Sequence, residues 1–244
     1  MVENENVPGV FMTNTRYAIC FAPERDSPLE TLGCEWLGRD KAGGFVDRRV
    51  EVRGLTPDRL TTLTKGPRSY GMHGTLKPSF ELRPHATEKA LLTVAEVIAR
   101  SFSPIELPPM ELGEIGYIVS LVPEASSAAL EDLAAACVRA FDGFRSPLTQ
   151  AEEEAYKRNR LTVHQRQMLV HWGYPYVMEE FDFHISLTDP VIDEDERAAI
   201  KTTVEHLAKD ILHKPLMMRE LVVFSQKGPE APMSIIARFP FGRK

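Results

Sequence analysis

Two short segments of this 244-residue chain carry a histidine and a hydroxyl residue two positions apart, and each opens the same succession of predicted elements. The first reads GMHGTLKPSF (residues 71–80) and the second reads FDFHISLTD (181–189), both with strand-like alternation. A predicted helix and two predicted strands follow each segment. Even the closing strands resemble each other, YIVSLVP against SIIARFP. We interpret the pattern as an internal duplication of an α+β unit, which constrains the fold more than any single motif does.

The duplication predicts an α+β fold with two lobes in one domain. Two similar halves pack most simply about a pseudo-two-fold axis. We therefore expect two antiparallel sheets that face a central cleft, with the helices on the outside. The single domain covers residues 1–244, with lobe 1 at about 16–123 and lobe 2 at about 177–244, and elements at 16–23 or 124–142 can cross between the lobes.

Residues 143–176 interrupt this repeat and are predicted to form a helical insertion. Thr149 and Glu152 have the spacing of a capping box, which starts a helix. The segment also lacks the Ser/Gly composition of a flexible linker. Elsewhere, caps and periodicity predict helices at about 28–37, 56–64, 87–101, 127–141 and 193–211, and strands at about 16–23, 105–112, 117–123, 216–226 and 234–240.

The charge balance and the cysteines limit the classes of partner. A net charge of −6 argues against long nucleic acids, which are normally met by a basic surface, but leaves small anions open. Cys20, Cys34 and Cys137 are odd in number and widely spaced, as in a reduced cytosolic protein. The acidic N-terminus (MVENENVPGV) is unlike a secretory signal, and no apolar run reaches the roughly 20 residues of a membrane span. We therefore expect a cytoplasmic protein without a membrane partner.

The paired histidine segments suit acid–base chemistry on a phosphate. A strand rises about 3.3 Å per residue, so the imidazole and hydroxyl of each H-x-[ST] segment lie about 6–7 Å apart on one face. With His73 and His184 on opposite walls of the cleft, one neutral imidazole can take a proton and the other, protonated, can donate one. Thr75 and Ser186 can bind the non-bridging oxygens. The near symmetry of the two motifs leaves open which histidine is the acid.

Lys77 is a further candidate for the site. In a regular strand it continues the face of His73, from which it can offset negative charge that builds in a transition state. Lysines also commonly project into solvent from strand ends, and the sequence leaves both interpretations open.

The motifs HGTL (73–76) and HISL (184–187) resemble the signature of the two-histidine (2H) phosphoesterase superfamily, with Ser186 in place of the commoner threonine. The flanking segments RYAICFAP, YGMHGTLKPSF, FRSPLT and GYPYVMEEFDFHISLTDP are similar to a branch often encoded beside phosphonate-utilisation genes. The resemblance implies a bilobal fold and metal-independent cyclic phosphodiesterase chemistry without a cofactor. It also implies that Tyr70 and Arg145 belong to the substrate site.

The implied substrate is a small anionic cyclic phosphate ester, either a nucleoside 2′,3′-cyclic phosphate or a ribosyl 1,2-cyclic phosphate that carries a 5-phosphate. In the second case Arg145 can clamp the additional phosphate, or it can instead pin the insertion to the body of the protein. Tyr174 and Tyr176 are expected to pack more often than to bind.

Three other functions compete with this interpretation. A metal hydrolase needs three or more protein ligands, and only His73, His184 and Asp182 can be assembled, with Lys77 repelling a dication. A binding module could hold a nucleotide or phosphorylated sugar without turnover, although arginines would serve that purpose better than histidines. RNA end-processing uses the same chemistry and is disfavoured by the acidic charge. The oligomeric state is not predicted.

Overall fold

The protein combines α-helices with antiparallel strands, which confirms the predicted α+β class. The structure is a computed structural model that describes residues 15–39, 44–46, 50–157, 160–228 and 231–242; the N-terminal segment considered above lies outside these residues. The strands are β1 (Thr15–Phe21), β2 (Gly74–Glu81), β3 (Ile105–Leu107), β4 (Met110–Ile115), β5 (Ile118–Pro123), β6 (Ile185–Ser186), β7 (Leu216–Met218), β8 (Glu220–Lys227) and β9 (Ser234–Pro240). The helices are α1 (Pro28–Leu37), α2 (Pro57–Leu63), α3 (Lys65–Tyr70), α4 (Glu88–Ser101), α5 (Ala128–Asp142), α6 (Gln150–Lys157), α7 (Val163–Trp172) and α8 (Glu194–Leu207), with a 3₁₀ turn at Met178–Glu180.

Both larger sheets have a histidine segment at one edge. The four-stranded sheet has the order β2-β1-β8-β9, and the three-stranded sheet has the order β4-β5-β6. Strands β2 and β6 therefore occupy equivalent edge positions, each with one neighbour. His73 immediately precedes β2, and His184 immediately precedes β6.

The sheets do not coincide with the predicted lobes at 16–123 and 177–244. The chain-terminal strands β8 and β9 join β1 and β2, while β5 joins β6, so each sheet takes strands from both segments. The alternation in a strand's sequence indicates which face is buried but not which edge it pairs with. Which strand each of these strands pairs with depends on the sheet edges that are still unpaired once the other elements have packed.

One hydrophobic core extends across both sheets and the helices that cover them. It includes Ile19 and Leu76 of the four-stranded sheet and Leu121 and Ile185 of the three-stranded sheet, all buried. Helix α5 contributes Leu130, Leu133, Cys137 and Phe141, the stripe that its periodicity predicted. The two histidine segments are thus fixed to a common packed interior.

Helix α1 touches the chain beside both histidine segments. Ser27 caps it by accepting a hydrogen bond from the Glu30 amide, and Pro28 occupies its first turn. The indole Nε1 of Trp36 donates to the carbonyl of Leu187 over 2.7 Å. One turn earlier, Gly33 lies so close to Met72 that an added Cβ would approach the Met72 Cβ to 2.7 Å.

The two histidine segments approach each other closely at Gly74 and Phe183. An added Cβ at Gly74 would meet ring atoms of Phe183 well inside 3.0 Å, which real Cβ atoms essentially never do. The same ring packs edge-on against Phe21, with 6.2 Å between the ring centroids. Because Gly74 follows His73 and Phe183 precedes His184, this contact brings the two histidines into one region.

A methyl group at Gly74 is expected to separate the two histidine segments. Gly74→Ala should lower the free energy of unfolding by about 1–3 kcal/mol, because the Phe183 ring or the strand must move. Gly143→Ala is the control, since Gly143 has helical dihedral angles and its Cβ would come no closer than 4.0 Å to another side chain. That control should be neutral or slightly stabilising. Equal denaturant midpoints for the two variants would show that the approach at Gly74 is not tight.

Candidate active site

Each histidine is held by the same local hydrogen bond. Nδ1 of His73 lies 2.9 Å from the carbonyl oxygen of Gly71, and Nδ1 of His184 lies 2.8 Å from the carbonyl oxygen of Asp182. A carbonyl only accepts, so Nδ1 carries the hydrogen in both rings. Nε2 is then the nitrogen that can take up or release a proton. The internal duplication therefore extends to the orientation of the imidazoles.

His73 has an apolar, aromatic environment. Its ring stacks on Tyr70 with 4.5 Å between centroids and an interplanar angle of 15°, and the Phe224 ring lies 6.0 Å away. Burial lowers the pKa of His73 from 6.5 to about 4, against the effect of the Gly71 carbonyl, and the charges of His184 and Arg39 lower it further. His73 is consequently neutral at neutral pH. His184 is thus among the groups whose charge acts on the His73 ring.

The two motif hydroxyls accompany the imidazoles on the faces turned away from the core. Thr75 lies opposite Cys20 of β1, on the face that also holds Phe224, and Ser186 lies opposite Ser120 of β5. Thr75 and Ser186 are partly exposed. Below, the cleft means the predicted space between the two histidine segments.

The structure places Lys77 on the opposite face of β2 from Thr75. The pairing of β1 with β2 shifts between Thr75 and Lys77, which lie opposite the successive residues Cys20 and Ile19. Successive strand residues point to opposite faces, so Lys77 shares the core face with Ile19. The irregularity leaves Leu76 as an extra residue and breaks the alternation on which the prediction rested.

Lys77 is instead buried beneath α5. Only 1% of its surface is exposed, and its Nζ lies 3.8 Å from Oδ1 of Asp142 and 5.8 Å from the centre of the Phe80 ring. Burial lowers its pKa from 10.5 to about 8, although Asp142 acts in the opposite direction. The two positions predicted for Lys77 were the cleft and the solvent, and the structure shows it in neither.

Arg145 makes the contacts of a structural residue. Its Nε donates to Oδ1 of Asp142 over 3.0 Å, and its Nη1 donates to the carbonyl of Ser146 over 3.2 Å. The guanidinium also lies against Gly173, where an added Cβ would approach it to 2.8 Å. Arg145 thus connects the start of the insertion to its end and, through Asp142, to α5.

The insertion brings three tyrosines towards Tyr70. Tyr174 packs edge-on against Tyr156 and Tyr176, with centroid distances of 6.1 and 5.6 Å. Burial raises the pKa of Tyr174 to about 12, and the charges of Tyr156, Tyr176 and Tyr70 act in the same direction. Tyr176 remains 41% exposed. Nothing in the local sequence indicated that these three rings would cluster.

Sequence reasoning also missed a cavity beside Tyr70. It has a volume of about 300 Å³ and is bordered by Tyr70, Met72 and Phe224. Arg39 is 7% exposed and donates to the carbonyls of Arg68 and Ser69, both over 2.9 Å. No local pattern could have identified this cavity, because its three arginines are far apart in sequence: Arg25, Arg39 and Arg238.

Two sequence expectations concern metals and membranes. Within the described ranges, no group of three or more His, Cys, Asp or Glu side chains is arranged to hold a metal ion. In the same part of the chain, no helix has the length and apolar character needed to cross a bilayer.

Comparisons with known proteins identify one matching family model and two curated relatives. The family model is described as "Protein of unknown function (DUF1045)" and matches residues 75–234. Both relatives are named "Ribose 1,5-bisphosphate phosphokinase PhnN". The one from Janthinobacterium sp. (strain Marseille) is 33% identical over 230 residues, which are 93% of this chain and 51% of the relative. The one from Laribacter hongkongensis (strain HLHK9) is 27% identical over 217 residues, 87% of this chain and 49% of the relative. The chain thus spans about half the length of these relatives.

Among solved structures, similar chains include TT0787 of Thermus thermophilus and LigT of E. coli complexed with 3′-AMP. The first has a TM-score of 0.45 and 12% identity, and it covers 94% of this chain and 99% of its own. The second has a TM-score of 0.42 and 10% identity over the same shares of the two chains.

The buried Lys77 is expected to give the protein a distinctive pH dependence of stability. Between pH 8 and 10.5 the unfolded chain binds more protons at this position than the folded protein, so stability should rise with pH. Lys77→Met should remove this rise, which amounts to up to about 3 kcal/mol across the window. Urea denaturation at pH 8 and pH 10 measures it, with Lys227→Met, which removes an exposed lysine, as the control. A difference between wild type and Lys77→Met that does not change with pH would contradict the prediction.

Proposed function

The chain belongs to the family described as "Protein of unknown function (DUF1045)", and we propose that it is a phosphodiesterase that hydrolyses a small cyclic phosphate ester. One observation carries this proposal. Two imidazoles, each oriented by an Nδ1 hydrogen bond to the carbonyl two residues earlier, lie on segments that meet at Gly74 and Phe183. A pair of oriented imidazoles in one site supplies a general base and a general acid without a metal ion.

We assign the base to His73 and the acid to His184. His73 is neutral at neutral pH, since burial lowers its pKa to about 4, so its Nε2 can accept a proton from water. The water oxygen forms a bond to phosphorus, and the bond from phosphorus to one ring ester oxygen breaks. His184, whose hydrogen bond to Asp182 is exposed to solvent, gives its Nε2 proton to that leaving oxygen. The product is a phosphate monoester with a free hydroxyl.

The remaining motif residues would bind the phosphate. The hydroxyls of Thr75 and Ser186 donate to its non-bridging oxygens, and such donors typically contribute about 10²–10³ each to the rate. Tyr70 stacks on the base and holds its ring in place. Lys77 and Arg145 have no part in this assignment because the charged end of each faces Asp142.

The name of the curated relatives favours one substrate among the cyclic esters. Hydrolysis of a ribosyl 1,2-cyclic phosphate 5-phosphate at its 2-oxygen gives ribose 1,5-bisphosphate, the compound in that name. The chain spans about half of each relative, and its sequence contains no G-x-x-x-x-G-K-[ST] phosphate-binding loop. We therefore assign the kinase to the other half of the relatives and the preceding hydrolysis to the half that resembles this chain. Both steps handle charged sugar phosphates, which we place in the cytoplasm.

The cavity beside Tyr70 is our proposed position for the 5-phosphate. It adjoins the ring that stacks on His73, and its wall holds Arg25, Arg39 and Arg238. Glu220 pairs with Arg238, and Arg39 is held by backbone carbonyls, so we assign the contact with the 5-phosphate to Arg25. A doubly phosphorylated sugar could then bind with one phosphate between the histidines and the other in this cavity.

Replacement of either histidine is expected to abolish turnover. His73→Ala and His184→Ala should each reduce hydrolysis of cyclic phosphates by at least about 10²-fold, whereas His206→Ala, on the exposed side of α8, should not. EDTA should have no effect on this hydrolysis.

The decisive assay is a substrate screen. The purified protein is incubated with ribosyl 1,2-cyclic phosphates, nucleoside 2′,3′-cyclic phosphates and short RNAs with cyclic ends. Binding of these compounds without turnover would identify a binding module, and loss of activity on chelation would identify a metal enzyme.

The pH profile tests which histidine is the base. With His73 as the base, kcat/KM should fall on the acid side only near pH 4, where this half-buried imidazole becomes protonated, rather than near 6.5. An acid limb near pH 6.5 would contradict the assignment of the base to His73.

The position of the second phosphate is tested through Arg25. Arg25→Ala should raise KM for the 5-phosphorylated ribosyl cyclic phosphate about tenfold, as expected for one lost charge-assisted hydrogen bond. The analogue without a 5-phosphate should be unaffected, and Arg53→Ala, at an exposed turn, should change neither value. Equal effects on both substrates would place the 5-phosphate elsewhere.

A further inference from the structure

Each motif hydroxyl faces a small polar side chain on the neighbouring strand. Thr75 of β2 lies directly opposite Cys20 of β1, and Ser186 of β6 lies directly opposite Ser120 of β5. Residues that are directly opposite in an antiparallel pair project from the same face, with their Cβ atoms about 4.5–5.5 Å apart. Each pair is therefore close enough for a hydrogen bond between the two side chains.

The two pairs occupy equivalent places in the two sheets. Strands β2 and β6 are both edge strands that carry a motif, and β1 and β5 are their neighbours. Cys20 lies in RYAICFAP and Ser120 in YIVSLVP, segments that the duplication itself does not relate to each other. The equivalence is thus visible only after the strands have paired.

The side chains of Cys20 and Ser120 are completely buried, so their polar atoms can form hydrogen bonds only with other protein atoms. Cys20 and Ser120 are each 0% exposed. Cys20 faces Thr75 across the strand pair, and the hydroxyl of Ser120 is inaccessible and has no hydrogen-bond partner among the described residues. An unsatisfied buried hydroxyl costs about 1–3 kcal/mol, so its presence beside a motif residue calls for a reason.

We propose that Cys20 and Ser120 are positioning residues that orient the hydroxyls of Thr75 and Ser186 towards the substrate phosphate. Each donates its proton to the oxygen of the motif hydroxyl opposite, which directs the O–H of that hydroxyl into the cleft. Ser120 reaches Ser186 by side-chain rotation. Because the accepted bond polarises the donating O–H, the hydroxyl also becomes a stronger donor to a phosphate oxygen.

Because Cys20 and Ser120 are buried, they can act on the substrate only through the motif hydroxyls. A substrate in the cleft cannot touch an atom that is inaccessible to solvent, so Ser120 can affect the phosphate only through Ser186. This inference rests on the proposed function, since it assigns the two hydroxyls to phosphate binding. It adds two residues that neither motif contains.

The test is a double-mutant cycle of Ser120 and Ser186, in which the activity of each variant is measured with a cyclic phosphate substrate. Ser120→Ala should lower kcat about tenfold without lowering thermal stability, and Ser120→Cys, which keeps a donor, should restore most of it. In the background of Ser186→Ala, Ser120→Ala should have no further effect. In the background of Thr75→Ala, it should keep its full effect, because it acts on the other hydroxyl.

Cys20 supplies the matched experiment in the other sheet. Cys20→Ser should keep most of the activity, Cys20→Ala should lose it about tenfold, and the loss should vanish in the background of Thr75→Ala. Full activity of Ser120→Ala together with raised stability would overturn the inference, because Ser120 would then be only an unsatisfied hydroxyl. Independent effects of Ser120→Ala and Ser186→Ala would overturn it as well.

A binding measurement separates this inference from the proposed function. Absence of turnover by the wild-type protein would contradict the hydrolase but not the positioning role. Calorimetric titration with inorganic phosphate then tests the positioning role. Ser120→Ala should weaken phosphate binding in the wild-type background and leave it unchanged in the background of Ser186→Ala. Equal phosphate affinity of wild type and Ser120→Ala would contradict the positioning role.

Discussion

The close approach of Gly74 to the Phe183 ring is the constraint on which the rest of the site depends. It fixes the edge strand of one sheet against the segment leading into the edge strand of the other, and both are anchored in one hydrophobic core. Residues next to this contact can only move with the core, which is too closely packed to shift easily. Since His73 and His184 each adjoin one side of the contact, their relative placement follows from packing rather than from any direct bond between them.

Around this contact the site is symmetric in its bonding and asymmetric in its environment. The two imidazoles have the same tautomer because each makes the same type of hydrogen bond to a carbonyl. His73, however, is enclosed by the rings of Tyr70 and Phe224, and its burial lowers its pKa to about 4. A duplicated motif can in this way supply two different chemical roles, because the surroundings decide which ring is neutral.

Lys77 and Arg145 show where inference from the sequence failed or stayed open. Lys77 would lie on the same face as His73 only if the side chains of β2 alternated regularly. One extra residue in the β1–β2 pairing breaks this alternation, so Lys77 lies in the core. Arg145 could serve a phosphate or the insertion, and its contacts with Asp142 and Gly173 lie within the insertion and α5. In both cases the sequence indicated a charged side chain near the site but contained no information about strand register or loop path.

The sequence by itself determined the α+β class, the helix after each histidine segment, the bounds of α1 and the pairing of each histidine with a hydroxyl. These follow from local periodicity and capping, which depend on residues close together in the chain. Three strands rather than the predicted two follow each of those helices, because the predicted strands at 105–112 and 216–226 are each divided into two. The tertiary structure alone decided that β8 pairs with β1, that arginines gather beside Tyr70, and that Cys20 and Ser120 face the motif hydroxyls. Those features depend on which strands become neighbours, and strand pairing is a property of the whole packed chain rather than of any segment.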